Sequence, residues 1–385
     1  MRMLSLMMLV MFLILSCFEP VQAGSFNPSV FSDDYQEARD KFISASFESG
    51  GSIKSILSPV EGPDGNSLFM DVASWKLSNA ETVVVIGSAT HGVEGFAGSA
   101  VQTGLLKDGL ASRLPSNVGM VMIHAINPYG FAYLRRYDER NIDVNRNFLD
   151  YTQPLPRNAG YEELAEVLSP PVLSIGETVR TYWNFIGYVF SNGRSGLAYA
   201  ISSGQYTYPK GLFYGGQGPS WSNVAFRQIV KELISRAKRV VFIDVHTGLG
   251  KYGKAVVILN EKPGSEAFQR ARQWWGERVE SSVGQSVSAN VRGTLKLALP
   301  LMLPKVEVTA ISMEFGTFSR RSVLMSLRDE NWLFHHPDEG SAKALEIRQN
   351  LKQQFYPNTF EWNSAVWIEA SQLIEQLLTE LQEQR

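Results

Sequence analysis

The sequence contains a single cysteine, Cys17, among 385 residues. One cysteine excludes a disulfide within the chain, so the folded protein needs a hydrophobic core that is stable without cross-links. Such a core is available, because 44% of the residues are hydrophobic. The length by itself allows either two or three domains or one large domain.

An excess of charge of either sign is also missing. The chain has 36 Lys and Arg residues against 38 Asp and Glu residues, which gives a formal net charge of −2. The basic residues form no stripe along the sequence. This balance argues against nucleic acid, or any other polyanion, as a partner.

Long apolar runs are absent after the first two dozen residues. Arg2 precedes an apolar run over residues 3–18, and Val21 and Ala23 are the small residues of a cleavage site. The run is shorter than the roughly 18–20 apolar residues that span a membrane. We therefore predict a signal peptide over residues 1–23 and an exported protein, periplasmic or secreted, with an uncleaved anchor as the alternative.

Cys17 lies inside this leader. The sequence Ile14-Leu15-Ser16-Cys17 is similar to the lipobox of bacterial lipoproteins, in which the cysteine is lipidated. Lipidation at Cys17 is thus the alternative to cleavage after Ala23. The signal peptide or this lipid is the only membrane contact that we predict.

Buried strands alternate with amphipathic helices along residues 24–385, which we predict to be a single domain. Short runs of β-branched and apolar residues predict strands over residues 81–90, 118–124, 239–245, 255–259 and 306–315. Helical periodicity occurs over residues 94–106, 172–185, 224–238, 266–281 and 360–384. Apolar runs without alternation indicate strands buried on both faces. The predicted fold class is α/β, a doubly wound, mostly parallel mixed sheet flanked by helices.

Residues 187–222 interrupt this pattern. The stretch is rich in Gly, Ser and Tyr, and Pro209 and Pro219 act as breakers. We predict a long loop insertion here. Loops of this length usually have a function, such as a lid or a substrate wall, and an ordered surface insertion without a role is the alternative.

Polar residues follow three of the predicted strands. His91 and Glu94 come after the first strand, His246 ends the third, and Glu314 lies near the end of the last. Open α/β sheets bind ligands beyond the carboxyl ends of their strands. Two histidines and a carboxylate form a catalytic zinc site with an open position for water. Each histidine, taken alone, could equally be a buried residue of the hydrophobic core. The His-x-x-Glu motif, taken alone, is also a weak signal of a metal site.

A longer segment strengthens the case. Residues 127–150 read NPYGFAYLRRYDERNIDVNRNFLD, and His91-Gly92-Val93-Glu94 precedes them. Together they resemble the zinc carboxypeptidase superfamily, the carboxypeptidase A-like metallohydrolases, with Tyr129 where the family's Asn-Pro-Asp-Gly turn has Asp. The order His-x-x-Glu, Asn-Arg, His, Glu also follows the family. The resemblance spans residues 81–316. The segments HTGLG, EFGTF and GQYTYPKGLFYGG look like a bacterial branch of the superfamily without an established activity.

The resemblance implies a role for each matching residue. His91, Glu94 and His246 match the ligands of one zinc ion, and Glu314 matches the general base. The remaining matches concern the substrate and the supports of the site. Asp143 matches a carboxylate that orients the first histidine, Asn145 and Arg146 match the pair that holds the substrate's terminal carboxylate, and Arg136 matches the arginine that polarises the scissile carbonyl.

Several assignments stay open at this point. Arg135 and Arg140 are alternatives to Arg136, because all three lie in one charged cluster. Asp244 shares a strand face with His246, so it either supports that histidine or is an ordinary polar residue at a strand end. Many members of the superfamily have a substrate-binding tyrosine between the second histidine and the glutamate. Tyr252 is the only tyrosine in that interval, and Tyr206, Tyr208 and Tyr214 are alternatives.

The function predicted from these residues is that of a zinc-dependent metallopeptidase that cleaves an amide bond next to a free carboxylate in peptides. Aspartoacylase and succinylglutamate desuccinylase are relatives that share the arrangement of Arg136-Tyr137 and residues 143–146, so an N-acyl amino acid amidohydrolase is the alternative. A third hypothesis is an envelope binding protein without catalytic activity. No Gly-x-Ser-x-Gly motif occurs, which argues against a serine hydrolase.

Overall fold

The computed structural model describes residues 26–283, 291–337 and 340–383. The predicted signal peptide and Cys17 lie outside these residues. Within them, no helix combines the length and the apolar character needed to cross a membrane.

One mixed sheet organises the fold. Its eight strands in the described residues are β1 Ser52–Glu61, β2 Ser67–Trp75, β3 Thr82–Gly87, β4 Val118–His124, β5 Arg239–Tyr252, β6 Ala255–Leu259, β7 Val279–Ser281 and β8 Glu307–Gly316. They lie in the order β1-β2-β4-β3-β5-β8-β6-β7. The four central strands, β4, β3, β5 and β8, are parallel to one another. Strands β1 and β2 run antiparallel to their neighbours, and β6 runs antiparallel to β8 but parallel to β7. The predicted α/β class is confirmed.

The central strands are buried on both faces, which explains why their sequences are continuously apolar. On β3, Val84 and Ile86 face one hydrophobic cluster, whereas Val83 and Val85 face another. Successive side chains of a strand point to opposite faces, so apolar residues are needed at every position when both faces are covered.

Helices pack on both faces of the sheet and beside the carboxyl ends of its strands. The twelve α-helices in the described residues are α1 Tyr35–Glu48, α2 Gly95–Lys107, α3 Leu110–Arg113, α4 Pro128–Ala132, α5 Ala159–Leu168, α6 Ile175–Ser202, α7 Trp221–Ile229, α8 Glu266–Trp275, α9 Leu295–Met302, α10 Arg320–Phe334, α11 Ser341–Phe355 and α12 Phe360–Glu383. Helices α1, α2, α8 and α12 pack on one face, and α7 and α9 pack on the other. Helices α5, α6, α10 and α11 share a third cluster beside the carboxyl ends of the strands.

The prediction of a loop over residues 187–222 is wrong in its first half, since α6 continues to Ser202. Gly193, with a φ of 72°, separates two helical stretches within it. The second stretch packs on α5, and Asn158 Nδ2 donates to the Ala200 carbonyl at 3.0 Å. Tertiary packing therefore outweighs the poor helix propensity of this Gly- and Ser-rich sequence. Only residues 203–220 form a loop.

Two further differences occur at the sheet edges. The hairpin of β1 and β2 was not among the predicted strands, although Gly62-Pro63-Asp64-Gly65-Asn66 between them is a strong turn signal. The helix predicted over residues 266–281 ends at Trp275, because Gly276 has a φ of 59° and the chain then enters β7. Strand β1 is largely exposed and β7 has three residues, so their apolar pattern is weak, whereas β2 is mostly buried but its apolar run is interrupted by Asp71 and Ser74.

Candidate metal centre

Three buried side chains meet at the carboxyl ends of β3 and β5. His91 Nδ1 lies 2.9 Å from Glu94 Oε1, and His246 Nδ1 lies 3.0 Å from Glu94 Oε2. One ligand atom from each residue lies within 4.8 Å of the others. His91 and Glu94 flank a single turn after β3, whereas His246 lies on β5, which pairs directly with β3. The structure thus brings the three predicted ligands together.

Close packing of two turns shapes the His91–Glu94 segment. A Cβ atom on Gly92 would lie 2.0 Å from the carbonyl carbon of Gly130, so only glycine fits. Gly130 belongs to the Asn-Pro-Tyr-Gly turn, in which Asn127 Oδ1 accepts from the Gly130 N–H at 2.9 Å. The His91–Glu94 segment and the turn over residues 127–130 therefore pack directly against each other.

Each histidine has a carboxylate behind its second ring nitrogen. His91 Nε2 lies 3.3 Å from Asp143 Oδ1, and His246 Nε2 lies 2.7 Å from Asp244 Oδ2. Asp244 is held in turn by the Thr90 hydroxyl, which donates to it at 2.8 Å. For His246, the Asp244 carboxylate keeps a proton on Nε2 and leaves Nδ1 free to bind a metal. Asp244 therefore supports His246.

The donor set fits zinc. Two imidazole nitrogens and one carboxylate, with an open fourth position, are the usual ligands of catalytic zinc. Burial disfavours an imidazolium at His246, but Asp244 and Glu94 outweigh it and raise the pKa of His246 to about 10. Burial likewise raises the pKa of Glu94, yet the two histidines lower it below its ordinary value overall. This environment favours positive charge, which a metal cation would provide.

Arg136 is the arginine of the charged cluster that reaches the site. Its Nε donates to Asp143 at 2.9 Å, its Nη1 donates to Glu94 at 3.4 Å, and its Nη2 lies 2.7 Å from His91 Nε2. Arg135 instead points away and bonds Asn141, while Arg140 is exposed. Arg136, not its two neighbours, is thus available to a substrate.

Glu314 lies beside the histidines because of strand register. Its Cα pairs with that of His246 across β5 and β8, so the two side chains share one face of the sheet. Burial, together with the nearby Glu94 charge, raises the pKa of Glu314 to about 8 even though His246 lowers it. A carboxylate of this kind can take up and release a proton near neutral pH.

Arg146 and Asn145 lie at the same end of the site. The Arg146 guanidinium donates to the Ser202 carbonyl at 2.7 Å through Nη2 and to the Asn145 carbonyl at 2.8 Å through Nη1, and its Nε also reaches Ser202. A guanidinium has five N–H groups, so two remain. The neighbouring Asn147 side chain holds the loop over residues 203–220 through Ser220 and Gly215, a role that the sequence did not indicate.

Tyr252, the predicted substrate-binding tyrosine, lies outside this group. Its side chain is 45% exposed, and its hydroxyl bonds the Thr359 hydroxyl at 3.2 Å. The reason is that β5 extends past the site, so Tyr252 lies at its exposed end. Tyr182 of α6 lines the cavity instead, where the Arg321 guanidinium lies 3.8 Å from the centre of its ring.

A cavity of about 740 Å³ connects these residues to the surface. Its polar floor is lined by His91, Glu94, Arg136, Asn145, Arg146, His246, Thr294, Lys296, Ser312 and Glu314. Its outer walls are mostly apolar side chains of α6 and α10, such as Phe190 and Leu324. Half of the predicted loop, now part of α6, is thus a wall of the cavity.

Lys296 is the one charged residue of the floor that the sequence analysis missed. It follows Leu295 at the start of α9, a helix that is otherwise apolar around it (LKLALPLM). A lone charge in an apolar helix is the signal that would have identified it, because a buried charge usually has a partner or a function.

Comparisons with known proteins complete this description. A family profile described as "Protein of unknown function (DUF2817)" matches residues 31–369. No curated protein is significantly similar to the sequence.

Several solved structures are similar to this chain at low identity. Carboxypeptidase A from Helicoverpa armigera is 11% identical, covers 88% of this chain and 78% of its own, and has a TM-score of 0.44. Bovine thrombin-activatable fibrinolysis inhibitor is 11% identical, with coverages of 86% and 99% and a TM-score of 0.45. Succinylglutamate desuccinylase from Chromobacterium violaceum is 15% identical, with coverages of 83% and 74% and a TM-score of 0.36.

Proposed function

The chain belongs to the family described as "Protein of unknown function (DUF2817)". We propose that it is a zinc-dependent hydrolase that cleaves an amide bond next to a free carboxylate. One observation carries the proposal. The cluster of His91, Glu94 and His246 shares a cavity with a buried glutamate, Glu314, and with an arginine, Arg146. Metal binding, proton transfer and carboxylate recognition are thus available within one site.

Zinc held by His91, Glu94 and His246 would polarise the scissile carbonyl and acidify a water molecule. Glu314 takes a proton from the attacking water and delivers it to the leaving nitrogen, which requires a carboxylate of raised pKa. The C–N bond breaks, the hydroxyl of water goes to the carbonyl carbon, and the amine leaves with the proton. Arg136 provides a fixed positive charge beside the reacting groups.

Replacing Arg146 with alanine is expected to weaken the binding of substrates that have a free carboxylate. Its two remaining N–H groups suit bidentate binding of that group. Because one hydrogen bond to a charged group contributes roughly 1.5–3 kcal/mol, KM should rise by about 10- to 100-fold. The measurement compares benzoyl-glycyl-phenylalanine with an ester-blocked form of the same peptide. An equal effect on both would remove the anchoring role, and Arg236→Ala, at an exposed arginine, is the matched control.

The cavity walls favour a second candidate, an N-acyl amino acid amidohydrolase. The walls of α6 and α10 present apolar side chains, and the backbone groups of a helix are already bonded within it. These helical walls therefore offer no strand edge to an extended peptide. The backbone amides of such a peptide would need hydrogen-bond partners. A long acyl chain has no such need.

Turnover of two matched substrates separates these candidates. Benzoyl-glycyl-glutamate tests the peptidase and N-lauroyl-glutamate tests the amidohydrolase, each with the metal content of the protein measured in parallel. Preference for the lauroyl compound supports the second candidate. A zinc-loaded protein that hydrolyses neither would refute the proposed hydrolase and favour the binding-protein hypothesis.

A further inference from the structure

Lys296 is a buried cation that the proposed reaction does not use. Its side chain lines the floor of the cavity although the residue is only 8% exposed. The Nζ atom donates to the Ile258 carbonyl at 3.0 Å. An ammonium has three N–H groups, and in the described part of the chain no side chain accepts a hydrogen bond from this one.

A buried ammonium with a single carbonyl partner is costly unless an anion completes its surroundings. Burial lowers the pKa of Lys296 to about 8, while the more distant charges of Asp244 and Glu314 act in the opposite direction. The group therefore still carries its positive charge at neutral pH. Neither carboxylate accepts a hydrogen bond from Nζ, and the side chain lines the cavity, so an anion that bonds the ammonium directly would enter with the substrate.

The start of α9 is bonded to the segment that contains Arg146. Asn145 Oδ1 accepts from the Leu295 N–H at 3.2 Å, and the Phe148 N–H donates to the Gly293 carbonyl at 2.9 Å. Lys296 and Arg146 consequently line the same end of the cavity. Two cations at one end of a cavity suit a ligand with two carboxylates.

The strand register places Lys296 near the reacting groups. Ile258, whose carbonyl holds Lys296, pairs with Ser312 across β6 and β8. Ser312 lies two residues before Glu314 on β8 and shares its face, a separation of about 7 Å along a strand. The Lys296 ammonium therefore lies near Glu314, and each charge acts on the pKa of the other group.

We propose that Lys296 is a specificity-determining residue that binds a second carboxylate of the substrate, so that the preferred leaving group is aspartate or glutamate. The inference rests on the proposed function, in which Arg146 holds the α-carboxylate. Arg194 and Arg321 line the outer cavity with exposed side chains, and their positive charge favours the entry of a dianionic substrate.

The test compares benzoyl-glycyl-glutamate with benzoyl-glycyl-glutamine, which differ in charge but hardly in shape. We expect kcat/KM to be about 10- to 100-fold higher for the glutamate substrate, the usual effect of a hydrogen bond to a charged group. Lys296→Met should reduce this ratio to near one, and Lys296→Glu should reverse the preference towards benzoyl-glycyl-lysine. Lys305→Met makes the same change at an exposed lysine and should preserve the wild-type ratio.

Two results would overturn the assignment while leaving the proposed hydrolase intact. One is a wild-type enzyme that hydrolyses the glutamine substrate as fast as the glutamate substrate. The other is a folded Lys296→Met variant that keeps the wild-type ratio. Calorimetric binding of free glutamate and glutamine to the zinc-loaded protein provides a readout without turnover, and equal affinities would also count against Lys296. Absence of hydrolysis together with selective glutamate binding would reject only the proposed reaction.

Discussion

Replacing Glu314 with glutamine is expected to lower kcat by at least ~10²-fold, the usual contribution of a general base. The amide keeps the size of the side chain but cannot accept a proton from water. Because Glu314 is not one of the three clustered ligands, the variant should bind as much zinc as the wild type. Steady-state kinetics and metal quantification on the same preparation measure both quantities.

The matched control for this variant is Glu346→Gln, which makes the same change at an exposed residue of α11. Its kcat should equal that of the wild type. Near-normal turnover in Glu314→Gln would remove Glu314 from the mechanism. Loss of zinc together with activity would mean that Glu314 supports the metal site instead of transferring the proton.

Replacing His246 with alanine is expected to reduce zinc affinity by at least ~100-fold. This loss should exceed the loss caused by removing a residue that only hydrogen-bonds to a metal ligand. A ligand that binds only the folded state stabilises it, by about 2.7 kcal/mol at a hundredfold excess over its Kd. Zinc should therefore raise the Tm of the wild type by several degrees. The same zinc concentration should leave the Tm of the variant unchanged.

Thermal unfolding with and without a chelator, combined with metal quantification, provides the measurement. His336→Ala is the control, because His336 is an exposed histidine that stacks on Trp332 far from the cluster. It should keep the zinc-dependent rise in Tm. Stoichiometric zinc in His246→Ala would show that His91 and Glu94 bind the ion without it, and the three-ligand site would have to be abandoned.

The strands that the sequence predicted correctly are those buried on both faces. β3, β4, β5, β6 and β8 are continuous apolar runs, a pattern that needs no knowledge of the partners. β1 was missed because most of its residues are exposed or half-buried and it pairs on one side only. The loop predicted over residues 187–222 was wrong in part because local composition cannot show that α6 packs on α5.

The residues of the site likewise fall into those that the sequence predicted and those that it did not. The residue types and spacing of His91, Glu94, Asp143, Arg146 and His246 follow from motifs within short segments. Tyr252 was chosen by its position in the sequence, yet it lies at the exposed end of β5. Lys296 belongs to no motif and reaches the site only because α9 is bonded to Asn145.

By itself, the sequence determined the fold class, because burial on both strand faces is encoded in local apolar runs. Its motifs, through their resemblance to a known superfamily, also indicated the metal-binding residues and Asp143. Only the tertiary structure decided which arginine faces the cavity, which tyrosine lines it and where Lys296 lies. The position of Lys296, for example, depends on the hydrogen bond from the Leu295 N–H to Asn145 Oδ1, which joins residues 150 positions apart. Contacts of that separation are set by packing of the whole sheet, and no local pattern records them.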